Sequence, residues 1–229
     1  MTTVETFHFT SRRRALTRRI AKIVAAPVHF MLETGQFRSM ARARSVDRGG
    51  RPLPMLTYPV IDFLQSIEGY LTGCDVLEFG CGQSTKWLAP RVRSLTGVEK
   101  NASFRDVLNA EFSGMPNVRI VGNEQPFAVT GHFDVIILDG EPRIDAGRFA
   151  PHALKPDGII IFDNSDVQSL SAIPMHLHEL GFARVDYFGY SPTGVRKQCT
   201  SVFFKSSAFF RLQRTIMPIS QNSLTEKLQ

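Results

Sequence analysis

The sequence contains few cysteines and no long apolar run. Cys74, Cys81 and Cys199 are odd in number and form no CxxC pair, so neither a disulfide framework nor a zinc site is expected, and all three are predicted to be buried thiols. No stretch of about 18 apolar residues is present, and the arginines near the N-terminus are not followed by the apolar segment and cleavage site of a secretory signal. These absences favour a cytoplasmic protein.

The length and composition predict one main domain. With 229 residues and 43% hydrophobic content, the chain can bury a complete core. The string GGRPLP breaks regular structure, so we expect a basic arm over residues 1–54, a catalytic domain over residues 55–206 and a tail over residues 207–229. The tail is predicted to pack as a helix through three apolar side chains, Phe209, Phe210 and Leu212.

Positive charge is concentrated in the first fifty residues. The chain has a net charge of +6 and a pI near 9.5, and the strings SRRRALTRRIAK and FRSMARARSVDRGGR hold much of the excess. Such an arm can attract nucleic acid, anionic lipid or a phosphorylated substrate, although solvated charge on a terminal helix is the commoner explanation. We expect peripheral association with an anionic membrane surface rather than binding to nucleic acid. The hypothesis places an interfacial helix at the apolar string IVAAPVHFML, which Pro27 interrupts.

Beyond Met55, strand-like strings alternate with helix-like ones. Strands are predicted at CDVLEFG, SLTGVE, NVRIVG, FDVIILDG, GIIIFDN, FARVDYFGY and CTSVFFK, with helical strings between most of them. This alternation predicts right-handed βαβ units with helices on both faces of the sheet. The last two strands lack an intervening helix and are expected to be antiparallel. The predicted fold class is α/β, a doubly wound, seven-stranded, mostly parallel sheet with an antiparallel last strand.

A glycine turn follows the first of these strands, in the string VLEFGCGQSTKWL. Glycine lets a backbone approach a ligand closely, and the first N–H groups of the following helix suit an anion. In sheets of this class, ligands bind beyond the carboxyl ends of the strands. The phosphate-binding pattern GxxxxGK[ST] is absent, and the dinucleotide pattern GxGxxG would need glycine where Thr85 stands. The dinucleotide pattern also leaves Glu78, two residues before Gly80, without a role.

The turn resembles the first motif of class I S-adenosylmethionine-dependent methyltransferases, an acidic residue followed by GxG. Later strand ends match that family in order, with Glu99 after the second strand and Asp139 after the fourth. After the third strand the match is Asn123, with Glu124 as the alternative. The resemblance implies a Rossmann-like fold and S-adenosyl-L-methionine as cofactor, whose ribose hydroxyls would both bind Glu99, since a carboxylate can accept two hydrogen bonds. It implies the following cofactor-binding set: Glu78, Gly80, Gly82, Ser84, Glu99, Asn123 and Asp139.

A second resemblance concerns the string GIIIFDNSDVQ. O-methyltransferases similar to catechol O-methyltransferase hold a magnesium-type ion with an Asp after the fourth strand and an Asp-Asn pair after the fifth. By position, this implies a Mg²⁺ site at Asp139, Asp163 and Asn164, with Asp139 beside the methyl-transfer site as the catalytic residue. The lysine of that family is missing, with Pro142 and Arg143 in its place, so the base is unassigned. In the alternative interpretation, the string DNSD caps the following helix.

The acceptor is indicated by weaker features. Amino-adenine and glutamine methylases of this fold carry an Asn/Asp-Pro-Pro-Tyr/Phe string after the fourth strand, whereas this chain has LDGEPR, which argues against those two classes. The strings FDNSD and TYP resemble bacterial methyltransferase-domain proteins, and this resemblance implies O-methylation of a small hydroxylated molecule, such as a sugar or another metabolite. A noncatalytic or membrane-associated scaffold that retains the fold is the alternative. Tyr58 and Tyr190 are candidate substrate residues, although Tyr58 could instead anchor its helix against the core.

Overall fold

The computed structural model describes residues 3–123 and 132–208, with side chains from residue 19 onward. The strands are β1 Asp75–Phe79, β2 Ser94–Val98, β3 Val118–Val121, β4 Phe133–Leu138, β5 Leu154–Asp163, β6 Ala183–Gly189 and β7 Gln198–Phe204. Together they form a seven-stranded sheet in the order β3-β2-β1-β4-β5-β7-β6. Each strand overlaps one of the strings predicted from the sequence.

The first five strands are parallel, and β7 runs antiparallel to both of its neighbours, β5 and β6. Because β7 alone is reversed, the carboxyl ends of β1 to β6 meet at one edge of the sheet. The predicted fold class, including the antiparallel last strand, is confirmed. The strand β5 begins earlier than predicted, at Leu154, and its pairing with β4 shifts register between Phe133 and Val135.

Helices cover both faces of this sheet. They are α1 Thr3–Thr34, α2 Gln36–Arg42, α3 Tyr58–Ser66, α4 Glu68–Leu71, α5 Gln83–Leu88, α6 Ala102–Glu111, α7 Arg143–Ala153 and α8 Ala172–Glu179. Successive strand residues point to opposite faces, so Val76 belongs to one buried cluster with Trp87 of α5, and Leu77 belongs to another with Ile173 of α8. The two clusters hold the sheet between its helical layers.

The N-terminal arm is helical and packs against the sheet domain near its end. The helix α1 continues through Pro27, so the expectation that this proline interrupts the segment is wrong. The Gln36 side-chain amide donates to the carbonyls of Ser191 and Gly194 at 3.2 and 3.0 Å. These bonds attach α2 to the loop between β6 and β7. No helix in the described ranges has the length and apolarity that a membrane crossing requires.

Two other sequence expectations concern the cysteines and two parts of the chain that lie outside the described residues. All three cysteines are free, and Cys74 and Cys199 are buried, whereas Cys81 is only partly buried. The expectation of three buried thiols is therefore wrong for Cys81. The predicted packing of the tail and the alternative residue Glu124 lie outside the described residues.

Candidate functional site

The carboxyl ends of β1, β2 and β4 border a cavity. Gly80 has a φ of 88°, and a Cβ added to it would lie 2.7 Å from the Cα and the nitrogen of Gly140. Both strand ends therefore meet backbone to backbone, which only glycine permits at this distance. The adjoining space has a volume of about 500 Å³ and is lined by Gly80, Glu99, Lys100, Asn101, Gly140 and Glu141. Sequence reasoning identified Gly80 and Glu99 in this set and missed Gly140, its close partner.

Glu99 follows β2 and holds two backbone segments at the cavity. Its Oε1 accepts the backbone N–H of Asn101 at 2.7 Å, and its Oε2 accepts that of Cys81 at 3.3 Å. The carboxylate thus connects the end of β2 to the glycine turn after β1. Each carboxylate oxygen retains a second lone pair, so Glu99 can accept further hydrogen bonds from a ligand in the cavity.

Glu78 is an acid buried beneath the same turn. Its Oε2 accepts the Thr85 hydroxyl at 2.6 Å, and the Thr85 oxygen accepts the backbone N–H of Gly82 at 2.7 Å. Burial raises the pKa of Glu78 to about 7, although the hydroxyls of Ser84 and Thr85 act in the opposite direction. A cationic or hydrogen-bond-donating ligand nearby would stabilise the ionised form.

Two buried acceptor atoms lie at the carboxyl ends of β1 and β3. No described group meets hydrogen-bond geometry with Oε1 of Glu78 or Oδ1 of Asn123. Buried polar atoms nearly always have partners, so these two acceptors fit a ligand that carries N–H or O–H donors, as S-adenosyl-L-methionine does. Gly82 differs from Gly80, because an added Cβ would meet nothing within 4 Å and its φ of 173° is extended. The fold itself therefore does not require glycine at position 82.

Asp139 and Asn164 converge, and the guanidinium of Arg143 lies between them. Its Nη1 donates to Oδ1 of Asn164 at 3.0 Å and reaches the carbonyl of Asp163 at 3.4 Å. Its Nη2 contacts the backbone carbonyl of Asp139 and lies 3.4 Å from the Oδ1 of that residue. The Arg143 side chain is only 13% exposed. Arg143 begins α7, directly after β4, so the cation is fixed at the same strand edge as the cavity.

Asp163 has a structural role. Its Oδ1 accepts the Thr200 hydroxyl at 2.5 Å, and the Thr200 oxygen accepts the backbone N–H of Thr57 at 3.1 Å. Burial raises the pKa of Asp163 to about 6, against the effect of the Thr200 hydrogen bond. Burial and the neighbouring Asp163 also raise the pKa of Asp139 well above its usual value, while Arg143 opposes the shift.

These contacts do not fit the predicted Mg²⁺ site. One oxygen of the Asp163 carboxylate is engaged by Thr200, and the Arg143 cation occupies the space where Asp139 and Asn164 would share a metal ion. Apart from this Asp/Asp/Asn set, no group of three or more His, Cys, Asp or Glu side chains within residues 3–123 and 132–208 is placed to hold a metal. Arg143, which stands where the O-methyltransferases of the second resemblance carry a lysine, places its positive charge between Asp139 and Asn164, and its sequence position alone did not reveal these contacts.

The helix-capping alternative for the string DNSD is not observed either. Asp166 accepts the backbone N–H of Cys199 at 3.2 Å, and the hydroxyls of Ser165 and Ser201 are 2.6 Å apart. The residue that precedes α8, Ser171, makes no side-chain capping bond. The string forms a turn after β5 that is hydrogen-bonded to β7. Asp, Asn and Ser serve caps, turns and metal sites alike, so the sequence could not separate these roles.

Tyr58 and Tyr190 are adjacent but lie in different environments. The Tyr58 N–H donates to the Tyr190 carbonyl at 2.9 Å. Tyr58 is 7% exposed, and its ring packs edge to face against Phe30 with centroids 5.5 Å apart, which favours the anchoring role over the substrate role. Tyr190 is 46% exposed and borders a second cavity, of about 420 Å³, between the arm and the β6–β7 loop.

Comparison with known proteins supports the architecture. No protein-family model and no curated protein matches the chain. The O-methyltransferase TomG from Streptomyces achromogenes, solved in complex with SAM, is 15% identical with a TM-score of 0.53, over 65% of this chain and 80% of that one. Cofactor-bound Rv0187 from MTB is 20% identical with a TM-score of 0.52, over 68% of this chain and 84% of that one. At these identities the likeness shows a shared fold and no more.

Proposed function

We propose that this chain, which has the Rossmann-like fold of class I S-adenosylmethionine-dependent methyltransferases, transfers a methyl group to a hydroxyl of a small-molecule acceptor. The cavity beside Gly80 and Glu99 carries the proposal, because a bare backbone and a carboxylate stand there at the ends of adjacent strands. Open sheets of this kind bind ligands at the carboxyl ends of their central strands.

The residues around the cavity match the groups of the cofactor. Glu99 would accept the two ribose hydroxyls, while Oε1 of Glu78 and Oδ1 of Asn123 would accept hydrogen bonds that no described residue supplies. Gly80 and Gly82 leave the turn without side chains on that side. When bound, the cofactor supplies an electrophilic methyl group on a sulfonium.

Asp139 is the candidate proton acceptor. A hydroxyl must lose its proton as it attacks the methyl group, and a side chain with a pKa near the working pH serves best as the base. Burial and Asp163 raise the pKa of Asp139 in that direction, and Arg143, at 3.4 Å, restricts its orientation. The proton would pass from the acceptor oxygen to the Asp139 carboxylate. The Arg143 guanidinium already places a positive charge beside Asp139 and Asn164. The proposed route therefore uses no divalent cation.

Calorimetric titration with S-adenosylmethionine and S-adenosylhomocysteine tests the cofactor assignment directly. A radiolabelled methyl-transfer assay against pools of sugars, lipids and RNA, run with and without EDTA, then tests the reaction. We expect binding of both compounds and EDTA-resistant labelling of a hydroxylated acceptor. If the folded protein bound neither compound, the enzymatic proposal would be refuted in favour of a noncatalytic scaffold.

A further inference from the structure

A group of exposed apolar side chains covers the C-terminal half of α1. Ile20, Val24, Val28 and Leu32 recur at every fourth position, and each is more than half exposed. Residues four apart lie along one face of a helix, so these side chains form a stripe, and Ile23 beside it is 71% exposed. Soluble monomers rarely leave contiguous apolar surface of this kind in water. We call this stripe, together with the exposed Phe37 of α2, the apolar patch.

Exposed basic residues lie on both helices that carry the apolar patch. Lys22 lies two residues from both Ile20 and Val24, so it projects from another side of α1. Exposed arginines continue the positive charge on α2, at Arg38 and Arg42. In the sequence, further arginines precede the patch, at Arg12, Arg13, Arg14 and Arg18. An apolar helix face bordered by Lys and Arg matches a lipid surface with anionic headgroups.

An apolar cleft lies between the arm and the β6–β7 loop. It has a volume of about 420 Å³, and its apolar lining is Pro27, Phe30, Met31, Met40, Tyr190 and Val195. This volume falls within the range of small-molecule sites, roughly 300–1,000 Å³. Phe30 and Met31 belong to α1, the helix that also carries the stripe. The same helix therefore contributes to both the cleft and the apolar patch.

A short series of hydrogen bonds leads from a wall of the cleft to the candidate active site. Tyr190 follows β6, whose carboxyl end lies at the same sheet edge as that of β5. Tyr190 accepts the Tyr58 N–H, the neighbouring Thr57 donates its N–H to Thr200, and Thr200 donates to Asp163. This short series of contacts ends one residue from Asn164, which Arg143 binds. Hydrogen bonds thus join the wall of the cleft to the sheet edge at which methyl transfer is proposed.

We infer that α1 and α2 bind an anionic bilayer through the apolar patch. We further infer that the cleft accepts the apolar chain of an amphiphilic alcohol that comes from this bilayer. The acceptor half of this inference rests on the proposed function, whereas the bilayer half does not. An amphiphile is a narrower class than the sugar-like metabolite predicted from the sequence. An amphiphile is chosen because the lining of the cleft is apolar and offers a bare sugar few hydrogen-bonding partners.

The bilayer half is tested by co-sedimentation of the full chain with vesicles of phosphatidylcholine, alone or mixed with phosphatidylglycerol, at low and high salt. We expect binding to the anionic vesicles only, weakened by salt. The double variant Val24→Glu/Val28→Glu should lose about tenfold or more in vesicle affinity. The matched control, Val107→Glu/Met175→Glu, changes side chains that are 57% and 62% exposed elsewhere and should bind as the unchanged protein does.

Equal sedimentation of the patch variant and the unchanged protein would overturn the bilayer assignment. So would a dimer in sedimentation velocity that the patch variant dissociates, with no vesicle binding, because the patch would then belong to a second copy of the chain. Circular dichroism melting confirms that each variant is folded.

The acceptor half is tested with a fluorescent long-chain alcohol as probe. Val195→Asp and Met31→Asp should weaken binding of the alcohol by about tenfold while S-adenosylhomocysteine affinity is unchanged. Unchanged alcohol binding in both variants would overturn the cleft assignment. Loss of S-adenosylhomocysteine binding in a protein that still binds vesicles would refute the proposed function and leave the bilayer half intact. Cofactor binding without vesicle or alcohol binding would refute only the present inference.

Discussion

Gly80 and Gly140 are in direct backbone contact at the ends of β1 and β4. A Cβ on Gly140 would lie 2.3 Å from the Cα of Gly80, and the reverse distance is 2.7 Å. The contact brings the two central strand ends together, and both glycines line the cavity beside Glu99. Its geometry distinguishes Gly80, which the fold requires, from Gly82, which only a bound ligand would require.

We predict different consequences for alanine at these two glycines. Gly80→Ala should lower the free energy of unfolding by roughly 1–3 kcal/mol or more, because overpacking adds to an unfavourable positive φ. Gly82→Ala should change stability by less than about 0.5 kcal/mol and act mainly on cofactor affinity. Urea unfolding and calorimetry with S-adenosylhomocysteine measure the two effects. Equal losses of stability in the two variants would contradict the assignment.

The second prediction concerns Glu99. Its carboxylate holds the backbone N–H groups of Cys81 and Asn101 at the cavity, and it is the proposed acceptor for the ribose hydroxyls. Glu99→Ala should weaken S-adenosylhomocysteine binding by roughly 1.5–3 kcal/mol, the usual size for hydrogen bonds to a charged group. Asp106→Ala, an exposed acid on α6, is the matched control. If calorimetry gave the same affinity for both variants, Glu99 would not bind the cofactor.

The third prediction is a pH dependence of stability caused by Glu78. Its pKa in the folded protein is about 7, above the ordinary value of 4.5, so the folded state binds more protons than the unfolded state between these values. Stability should therefore fall as pH rises from about 4.5 to 7 and then level off. Glu78→Gln should remove a decline on the order of 3 kcal/mol.

Urea unfolding at pH 5 and pH 8 tests this prediction. Asp163, with a pKa raised to about 6, contributes a decline of the same sign, so the readout is the difference between variant and unchanged protein. A pH dependence of identical size in Glu78→Gln would show that Glu78 ionises normally when folded.

Much of the architecture could be predicted because local patterns determine it. Short apolar strings separated by helical ones gave the position of every strand from β1 to β7, and the missing helix before β7 gave its direction. The placement of two candidate acids could be predicted as well, because Glu78 at the end of β1 and Glu99 directly after β2 lie at the same edge of a parallel sheet, whereas their assignment to a cofactor came from the family resemblance. Glu78 and Glu99 are close enough for both to influence Cys81, as this reasoning requires.

The side-chain contacts of the candidate site could not be predicted in the same way. They depend on how far each side chain reaches, which sequence spacing does not reveal. Arg143 was visible as the residue in place of a lysine, but only the structure shows that its guanidinium reaches Asp139 and Asn164 together. Pro27 was expected to interrupt a helix that in fact continues through it. A proline removes one backbone hydrogen bond, and the remaining bonds of a long helix can outweigh that local loss.

Arg143 is the basis of the last prediction, because it occupies the position predicted for a metal. Its Nη1 binds Asn164 and its Nη2 lies beside Asp139, and two cations would repel each other at that distance. The unchanged protein should therefore bind no Mn²⁺ at this site. Arg143→Ala removes the resident cation and leaves Asp139 partly buried without its partner, which should cost about 1–3 kcal/mol of stability at neutral pH.

Arg143→Ala should also convert the site into a weak metal site, since carboxylate and amide oxygens are suitable ligands for Mn²⁺ and Mg²⁺. We expect Mn²⁺ to raise the melting temperature of Arg143→Ala but not that of Arg148→Ala, an exposed arginine on the same helix. Electron paramagnetic resonance measures the bound metal directly. If the unchanged protein bound Mn²⁺ and Asp139→Asn abolished that binding, the guanidinium would not be the resident cation, and the metal-dependent mechanism would be restored.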